Sequence, residues 1–281
     1  MTCYLCGQTQ FINSPGSVRD KPELKILECT GCGLVFLSSF NHISDEYYEQ
    51  SGMHEGMIDI EVWRKETAWD DERRFLSLQR VLENKNVLDF GCGNGGFLKR
   101  ANKVAHMAVG VELEKQLQPF FIQERLSVFQ SIEAVSDSFD VITLFHVLEH
   151  IPDPLNILAA LSGKLAVNGQ LIIEVPNATD ALLGLYLSEE FAQFTYWSCH
   201  LFLFSSSTLA RLAHKAGLKI NYIKQVQRYP LSNHLHWLAK GKPGGHCVWN
   251  FLDSPELRTA YETSLASIGA CDTILASLSK Y

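Results

Sequence analysis

The sequence predicts an α/β fold in which a mostly parallel sheet is covered by helices on both faces and is preceded by a small cysteine-rich segment. Runs of valine, isoleucine and leucine alternate with helical patterns from residue 86 onward, which is typical of parallel strands buried on both faces. A glycine-rich turn, GCGNGG at 91–96, directly follows the first of these runs. Two cysteine pairs lie near the amino terminus, before the first run.

The composition is that of a globular protein. The chain has 281 residues, of which 46% are hydrophobic, enough for one large core with an appendage. Its formal net charge of −7 disfavours an extended contact with nucleic acid, because a negative surface repels phosphate. No apolar run reaches the roughly 20 residues that span a bilayer, and no charged leader precedes an apolar one. We therefore expect a cytoplasmic protein without membrane insertion, whose oligomeric state the sequence leaves open.

Two C-x-x-C-G pairs near the amino terminus predict a metal site. Cys3 and Cys6 form the first pair, and Cys29 and Cys32 form the second. Such turns point two thiolates each at one tetrahedral zinc ion. Four thiolates leave no position for water, so the predicted zinc is structural rather than catalytic. We expect residues 1–40 to form a zinc ribbon that core burial alone could not fold.

The remaining elements follow in chain order. Residues 41–84 are expected to form a helical connector or cap, with a helix at 69–83, and residues 85–281 the sheet domain, with an insertion at about 229–270. Strands are predicted at 87–90, 108–111, near 128, at 140–145, 170–175, 218–228 and 272–280. Helices are predicted at 96–104, 117–125, 153–166, 205–216 and 255–268.

The glycine turn alone does not identify its ligand. Gly91, Gly93 and Gly96 match the G-x-G-x-x-G pattern of dinucleotide-binding turns. Glu112, 21 residues beyond Gly91, suits the ribose of a dinucleotide or of another nucleoside. Asp89 directly precedes the glycines; its carboxylate would repel a pyrophosphate but could accept hydrogen bonds from an ammonium group. The dinucleotide interpretation is therefore the weaker one.

Several segments together resemble the class I S-adenosylmethionine-dependent methyltransferases. They are VLDFGCGNGGFL, SFDVITLFHVLEHIPDP, LAVNGQLIIEVPN and the closing strand, and the resemblance covers about residues 70–281. It implies a Rossmann-like sheet and S-adenosylmethionine as the cofactor. It also implies cofactor contacts at Asp89, Gly91 and Gly93 for the methionine part, Glu112 for the ribose, Ser131 and Ile132 for the adenine, and Phe145 and His146 for the sulfonium side. Leu113, next to Glu112, is expected to contact the cofactor as well.

A general base is needed only if the methyl acceptor holds its proton at neutral pH, as a hydroxyl does. His200, in FTYWSCHLFLFS, lies where the resembling enzymes often have an active-site histidine. We expect His200 to be the base, with His146 and His150 as the next candidates. Tyr196 and Trp197 are expected to form the acceptor wall. An alternative is that His146 and Glu149 only cap the helix that follows them.

The acceptor is the least defined part of the prediction. Arg228, Lys240 and Lys242 make a basic segment that could recognise a phosphate or carboxylate. With the ribbon, the layout resembles methyltransferases of bacterial sugar and surface-polysaccharide pathways. We therefore expect O- or N-methylation of a small polar acceptor, phosphorylated or nucleotide-linked, in capsule or surface-glycan precursor biosynthesis.

Three alternatives stay open at this stage. The first is a sugar C-methyltransferase. The second is an RNA methyltransferase whose ribbon binds RNA, although the ribbon offers few basic residues, namely Arg19, Lys21 and Lys25. The third is an inactive module whose ribbon docks a protein partner, which the intact glycine turn and Glu112 disfavour.

Overall fold

The computed structural model describes residues 1–44, 47–50 and 58–281. The strands are β1 (Phe11–Asn13), β2 (Ile26–Cys29), β3 (Val35–Leu37), β4 (Asn86–Phe90), β5 (Met107–Val111), β6 (Val128–Phe129), β7 (Phe139–Phe145), β8 (Leu165–Pro176), β9 (Phe202–Leu203), β10 (Lys219–Val226) and β11 (Thr273–Ser279). The helices are α1 (Ile60–Leu82), α2 (Gly96–Ala101), α3 (Gln118–Gln123), α4 (Pro154–Lys164), α5 (Ala181–Gly184), α6 (Glu189–Thr195), α7 (Ser206–Lys215), α8 (Leu231–Lys240), α9 (Gly245–Val248) and α10 (Pro255–Ser267). Short 3-10 turns lie at Lys115–Leu117, Leu148–His150 and Asn250–Leu252.

The large sheet has the strand order β6-β5-β4-β7-β8-β11-β10. The pairs from β6 to β8 are parallel, whereas β11 is antiparallel to both of its neighbours. Val87, Leu88 and Ile142 are fully buried, as expected for central strands covered on both faces. The predicted α/β Rossmann-like fold is confirmed, and the carboxyl ends of its parallel strands meet at one edge.

A second, antiparallel sheet joins the amino-terminal residues to the rest of the chain. Its order is β1-β2-β3-β9, so a strand far along the sequence completes it. β3 pairs with β9 through Val35 opposite Leu203 and Phe36 opposite Phe202. Both phenylalanines are buried. The cysteine-rich segment is thereby packed onto the residues that precede α7.

Helix α1 begins nine residues earlier than the sequence predicted, at Ile60 rather than 69. The side chain of Asp59 accepts the backbone N–H groups of Glu61 and Val62, which is the usual way in which an N-cap starts a helix. The predicted connector at 45–46 and 51–57 lies outside the described residues. None of the helices in the described part of the chain is long and apolar enough to cross a membrane.

The two stretches without predicted regular structure contain short helices. α5 and α6 lie between β8 and β9, and α8 and α9 lie in the region predicted as an insertion, ahead of the expected α10. α8 buries His234, His236 and Trp237. Its inward face is rich in imidazoles rather than aliphatic side chains, so the sequence lacks the apolar periodicity by which helices are recognised.

Candidate active site

The turn between β4 and α2 adopts left-handed backbone angles that favour glycine. Gly91 has a φ of 72° and Gly93 a φ of 53°. A Cβ atom built on Gly91 would lie 2.4 Å from Cγ2 of Val147, and one on Gly93 would lie 3.3 Å from the ring of Trp63. The turn is therefore enclosed by the end of β7 on one side and by α1 on the other. Any larger residue at Gly91 would collide with its wall.

Two carboxyl groups predicted to bind the cofactor flank this turn. Asp89 is 2% exposed, and the hydroxyl of Thr143 donates to it over 2.7 Å. Burial raises the pKa of Asp89 to about 7, so a neighbouring cation would favour its ionised form. Glu112 accepts the backbone N–H of Gly93 over 2.8 Å. The buried carboxyl of Asp89, whose ionised form a cation would stabilise, fits the ammonium group of S-adenosylmethionine. Glu112, beside the glycine turn, fits the ribose.

The other predicted cofactor residues follow the carboxyl ends of neighbouring strands. Phe145 ends β7; its ring centroid lies 4.8 Å from that of Phe97, and the guanidinium of Arg74 lies 4.8 Å from the same ring. Leu113, after β5, is 38% exposed, whereas Ile132, after β6, is 6% exposed. Ser131 is half-buried beside Ile132. Their contacts with a cofactor stay a prediction.

A cavity of about 200 Å³ opens beside this edge of the sheet. Its polar lining includes His146, Glu149, His150, Asp180, His200 and Arg228. Its aromatic lining consists of Phe191, Phe194, Tyr229 and Trp237. Val147, which follows His146, is the residue that lies against Gly91. The cavity is therefore next to the glycine turn and brings together His200, His146 and His150, the first three base candidates from the sequence.

Glu149 is the most unusual residue of the cavity. It is fully buried, and neither of its carboxylate oxygens accepts a hydrogen bond from any described residue. Nδ1 of His146 lies 3.3 Å from Oε1 of Glu149, and Nε2 of His150 lies 4.0 Å from the same oxygen. Neither contact has the geometry of a hydrogen bond. Buried carboxylates are ordinarily hydrogen-bonded. Burial raises the pKa of Glu149, and the neighbouring imidazoles of His146, His150 and His200 lower it, so these rings take the place of an aligned hydrogen-bond donor.

Two histidines beside Glu149 have their ring orientation fixed by backbone carbonyls. Nδ1 of His150 lies 2.8 Å from the carbonyl of Cys199, and Nδ1 of His200 lies 2.8 Å from that of Thr195. A carbonyl only accepts, so each Nδ1 carries the proton and each neutral ring has its lone pair on Nε2. Burial lowers the pKa of His200 to about 4. His200 is therefore neutral at physiological pH.

An ion-pair network that the sequence did not reveal ties α1 to the sheet. Glu174, fully enclosed near the end of β8, accepts from Nη2 of Arg73 over 2.8 Å and from Nε of Arg74 over 2.9 Å. Burial opposes ionisation, but the charges of Arg74 and Arg73 hold the pKa of Glu174 well below its usual range. The only sequence signal was the run WDDERR within a helix, a charge pattern that usually marks a solvated face.

The same network reaches the cavity through Arg228. Nε of Arg228 donates to Oδ1 of Asp70, and its Nη1 lies 2.9 Å from Nε2 of His146. Burial opposes ionisation of Asp70, but the charge of Arg228 lowers the pKa of Asp70 to about 2. Because a guanidinium only donates, Nε2 of His146 is the acceptor. The lone pair of His146 is therefore used by Arg228.

The helix-capping alternative for His146 and Glu149 does not match the structure. The N-cap of α4 is Asp153, whose side chain accepts the backbone N–H of Asn156. His146 instead has a left-handed φ of 55°, a conformation that is strained for a non-glycine residue and is often found at functional sites.

Tyr196 is not among the described residues that line the cavity, which corrects the expectation that it forms the acceptor wall. A Cβ atom on Gly16 would lie 3.1 Å from its ring, and its carbonyl accepts the backbone N–H of Arg19. The ring therefore packs against the amino-terminal segment, while the neighbouring His200 faces the cavity.

The amino-terminal residues hold the chain around His200 in place. We call residues 196–204 the His200 segment. Asp20 accepts the backbone N–H of Ser198 over 2.9 Å and its hydroxyl over 2.5 Å. The backbone N–H of Leu37 donates to the carbonyl of Leu201 over 3.0 Å. Together with the β3–β9 pairing, these bonds fix both sides of His200.

The four amino-terminal cysteines form a compact cluster. Their sulfur atoms all lie within 4.8 Å of one another. The sulfurs of Cys3 and Cys32 are 3.6 Å apart, and those of Cys6 and Cys29 are 3.5 Å apart. Zinc–sulfur bonds of about 2.3 Å place the sulfurs of a tetrahedral site roughly 3.8 Å apart. The cluster therefore fits a zinc ion.

Comparison with known proteins identifies the family. A family model described as a methyltransferase domain matches residues 62–223, more than half of the chain. The ubiquinone biosynthesis O-methyltransferase of Neisseria meningitidis serogroup C is 26% identical over 214 residues, covering 70% of this chain and 86% of the relative. That of Hydrogenovibrio crunogenus is 22% identical over 220 residues, covering 71% and 88%.

Solved structures with the same fold are also methyltransferases. A SAM-dependent methyltransferase from Archaeoglobus fulgidus aligns with a TM-score of 0.50 and 19% identity, covering 79% of this chain and 100% of that one. A SAM-dependent methyltransferase from Thermotoga maritima aligns with a TM-score of 0.52 and 17% identity, covering 79% and 94%. The chain belongs to the methyltransferase-domain family and is an S-adenosylmethionine-dependent methyltransferase.

Proposed function

We propose that the chain methylates a hydroxyl oxygen of a small acceptor bound in the cavity beside the glycine turn. The observation that carries the proposal is the neutral His200, whose Nε2 lone pair is next to the buried Glu149 in that cavity. S-adenosylmethionine, when bound, supplies an activated methyl group and leaves as S-adenosylhomocysteine with the electron pair of the broken C–S bond. The chain supplies the cavity, orients the acceptor and removes its proton.

His200 is better suited than His146 to accept the acceptor proton. Nε2 of His146 already accepts from Arg228, so protonating it would break that bond. The lone pair on Nε2 of His200 is not used in this way, because its bond to the Thr195 carbonyl involves Nδ1. As the oxygen–carbon bond forms, the hydroxyl proton moves to Nε2 of His200. The products are a methyl ether, S-adenosylhomocysteine and a protonated histidine that returns its proton to water.

The cavity favours a hydroxylated acceptor with an apolar face. Aromatic rings form one wall, and carboxyl groups of Glu149, Asp180 and Asp272 lie among its polar residues. Arg228, the one lysine or arginine among the described lining residues, pairs with Asp70, so the lining offers little to a phosphate. A phosphorylated or nucleotide-linked acceptor stays a prediction from sequence. The curated relatives are O-methyltransferases of ubiquinone biosynthesis, which supports oxygen as the target and lends no support to a glycan pathway.

We also propose roles for the segments around the cavity. Residues 1–40 form a ribbon around a structural zinc ion held by the four cysteines, residues 41–84 cap the donor site, and residues 85–281 bind donor and acceptor. The β3–β9 pairing supports an architectural role for the ribbon. Because β3 of the ribbon is paired with β9, less of the ribbon surface is free to bind RNA. We therefore regard RNA methylation as the second candidate.

The histidine proposal predicts that His200→Gln releases S-adenosylhomocysteine about a hundredfold more slowly, because a positioned base contributes about 10² to 10⁴-fold. Calorimetric affinity for S-adenosylhomocysteine should be unchanged. The rates are measured with a panel of hydroxylated aromatic, sugar and nucleotide-linked acceptors, and His214→Gln on the exposed face of α7 is the matched control. An RNA that is methylated faster than every small acceptor would overturn the proposal.

Asp89 should make donor binding depend on pH. Burial above all raises its pKa, the hydrogen bond from Thr143 and the charge of Arg74 lower it, and the charges of Asp71 and Glu112 raise it, so that the resulting pKa is about 7. Only the ionised carboxylate pairs with an ammonium, so the affinity for S-adenosylhomocysteine should rise between about pH 6 and about pH 8. Asp89→Asn should weaken binding about ten- to a hundredfold and remove this rise. A parallel pH dependence in both proteins would exclude Asp89 as its source.

A further inference from the structure

Beyond the histidine chemistry, we infer that Glu149, His150 and His200 form a binding site for a divalent first-row transition-metal ion. One ligand atom from each residue lies within 4.8 Å of the other two. The three residues come from two separate segments, the turn after β7 and the His200 segment. The inference rests on the proposed function for its role in catalysis, but the site itself is argued from geometry alone.

The first argument is the unpartnered carboxylate. Both oxygens of Glu149 are buried and accept no hydrogen bond from the described residues. A buried anion without a hydrogen bond is strongly destabilising unless a cation is near. The closest nitrogen atoms belong to imidazoles, at 3.3 Å for His146 and 4.0 Å for His150. A metal ion among them would give Glu149 the counter-charge that no lysine or arginine of the described cavity lining supplies.

The second argument is the orientation of the two imidazoles. Each donates its Nδ1 proton to a backbone carbonyl over 2.8 Å, His150 to Cys199 and His200 to Thr195. Metal-binding histidines ordinarily make this bond, which fixes the ring and leaves Nε2 as the ligand atom. The two ring centroids are 5.1 Å apart. Bonds of about 2.1 Å to one ion require only a modest approach of these side chains.

The ligand set also indicates the class of ion. Two neutral nitrogens and one carboxylate suit Zn²⁺, Fe²⁺, Co²⁺ or Mn²⁺ better than Mg²⁺ or Ca²⁺, which prefer oxygen ligands throughout. Three protein ligands leave at least one coordination position for another group. That position borders the cavity, so an acceptor hydroxyl could bind the ion there and ionise more readily. With the ion bound, the lone pair of His200 holds the metal and the acceptor proton leaves to water. The base role of His200 then belongs to the ion-free protein.

The test is a Co²⁺ titration of protein whose cysteine cluster is already loaded with zinc, followed by calorimetry and by the absorption of bound Co²⁺. The wild-type chain should bind one further Co²⁺. Glu149→Gln, which keeps the shape of the side chain but removes its charge, should weaken this binding more than about tenfold, and His150→Gln should do the same. Asp180→Asn is the matched control, because Asp180 is a buried carboxyl in the same cavity but outside the cluster. The affinity of this variant for Co²⁺ should equal that of the wild type.

The two proposals fail in different ways. Absence of a further Co²⁺ site, or equal Co²⁺ affinity in wild type and Glu149→Gln, would overturn the metal inference, whatever the activity. If the wild-type protein lacks this Co²⁺ site but still methylates an acceptor in the presence of a chelator, and His200→Gln is slow, the histidine proposal holds without the metal inference. If Co²⁺ binds as expected but no hydroxyl acceptor is methylated, the metal site stands and the proposed function fails.

Discussion

Replacing Cys29 with serine is expected to abolish zinc binding, unfold the ribbon and slow methyl transfer by more than about tenfold. In zinc-finger peptides the metal contributes roughly 10 to 16 kcal/mol of apparent folding free energy, more than a segment of this size gains from burying its core. The ribbon in turn supports the His200 segment through Asp20, Leu37 and the β3–β9 pairing. Unfolding of the ribbon should therefore displace His200 in the cavity, although the substituted cysteine does not line the cavity.

The measurements for this variant are the zinc content, the affinity for S-adenosylhomocysteine and the rate of methyl transfer. We expect donor affinity to stay within about twofold, because the contacts of the glycine turn among the described residues involve none of the four cysteines. Cys247→Ser is the matched control, since Cys247 is exposed and lies outside the cluster, and it should leave all three quantities unchanged. A zinc-free variant with full turnover would show that the His200 segment does not depend on the ribbon.

The same coupling can be tested without removing the metal. Asp20→Ala deletes the two hydrogen bonds to Ser198 but no zinc ligand, so the variant should retain zinc and lose turnover about three- to tenfold. The physical reason is that a catalytic group displaced by a fraction of an ångström loses much of its rate advantage. Asp20→Asn, which can still accept a hydrogen bond, should recover part of the rate. Equal rates in Ala and Asn variants would point to a different cause.

The sheet was predictable because each strand carries its own signal. Valine, isoleucine and leucine at 87–88, 141–142 and 144 mark strands buried on both faces. The glycine turn was predictable because glycine readily adopts positive φ angles. The start of α1 was missed because the helix has no clear apolar period: two of its buried residues are Asp70 and Asp71. α8 was missed because its buried face consists of two histidines, a serine, an asparagine and a tryptophan. Local pattern thus predicted the elements with aliphatic faces and failed where polar residues were buried.

The candidate site divides in the same way. The glycine turn and Glu112 follow a known sequence pattern, in which an acidic residue comes about 20 residues after the glycines, so their spacing predicted a nucleoside-binding site. The surroundings of Glu149 depend on a histidine that is distant in sequence, and no local pattern predicts such a contact. The expectation for Tyr196 was wrong because it assumed that Tyr196 and His200, which are close in an irregular segment, have side chains that point the same way. His200 and Tyr196 are four residues apart, but the segment turns between them.

Replacing Glu174 with glutamine is expected to destabilise the fold by about 3 to 5 kcal/mol, because it leaves buried guanidinium groups without their counter-charge. Glu174 is fully enclosed and accepts from both Arg73 and Arg74, which project from α1. Thermal unfolding should show a fall in Tm of at least about 5 °C. Donor binding should weaken as well, since α1 also places Trp63 against the glycine turn.

A matched variant on the same helix separates this effect from a general loss of charge. Glu72 pairs with Arg100 at the surface, and its side chain is 50% exposed. Glu72→Gln should therefore change the stability by less than about 1 kcal/mol. If both variants unfold at the same temperature, the buried network does not hold α1 to the sheet. If only Glu174→Gln unfolds early but its affinity for S-adenosylhomocysteine is that of wild type, α1 contributes to the fold and not to the donor site. The expected result, loss of both in Glu174→Gln alone, would make the network the link between the stability of α1 and donor binding.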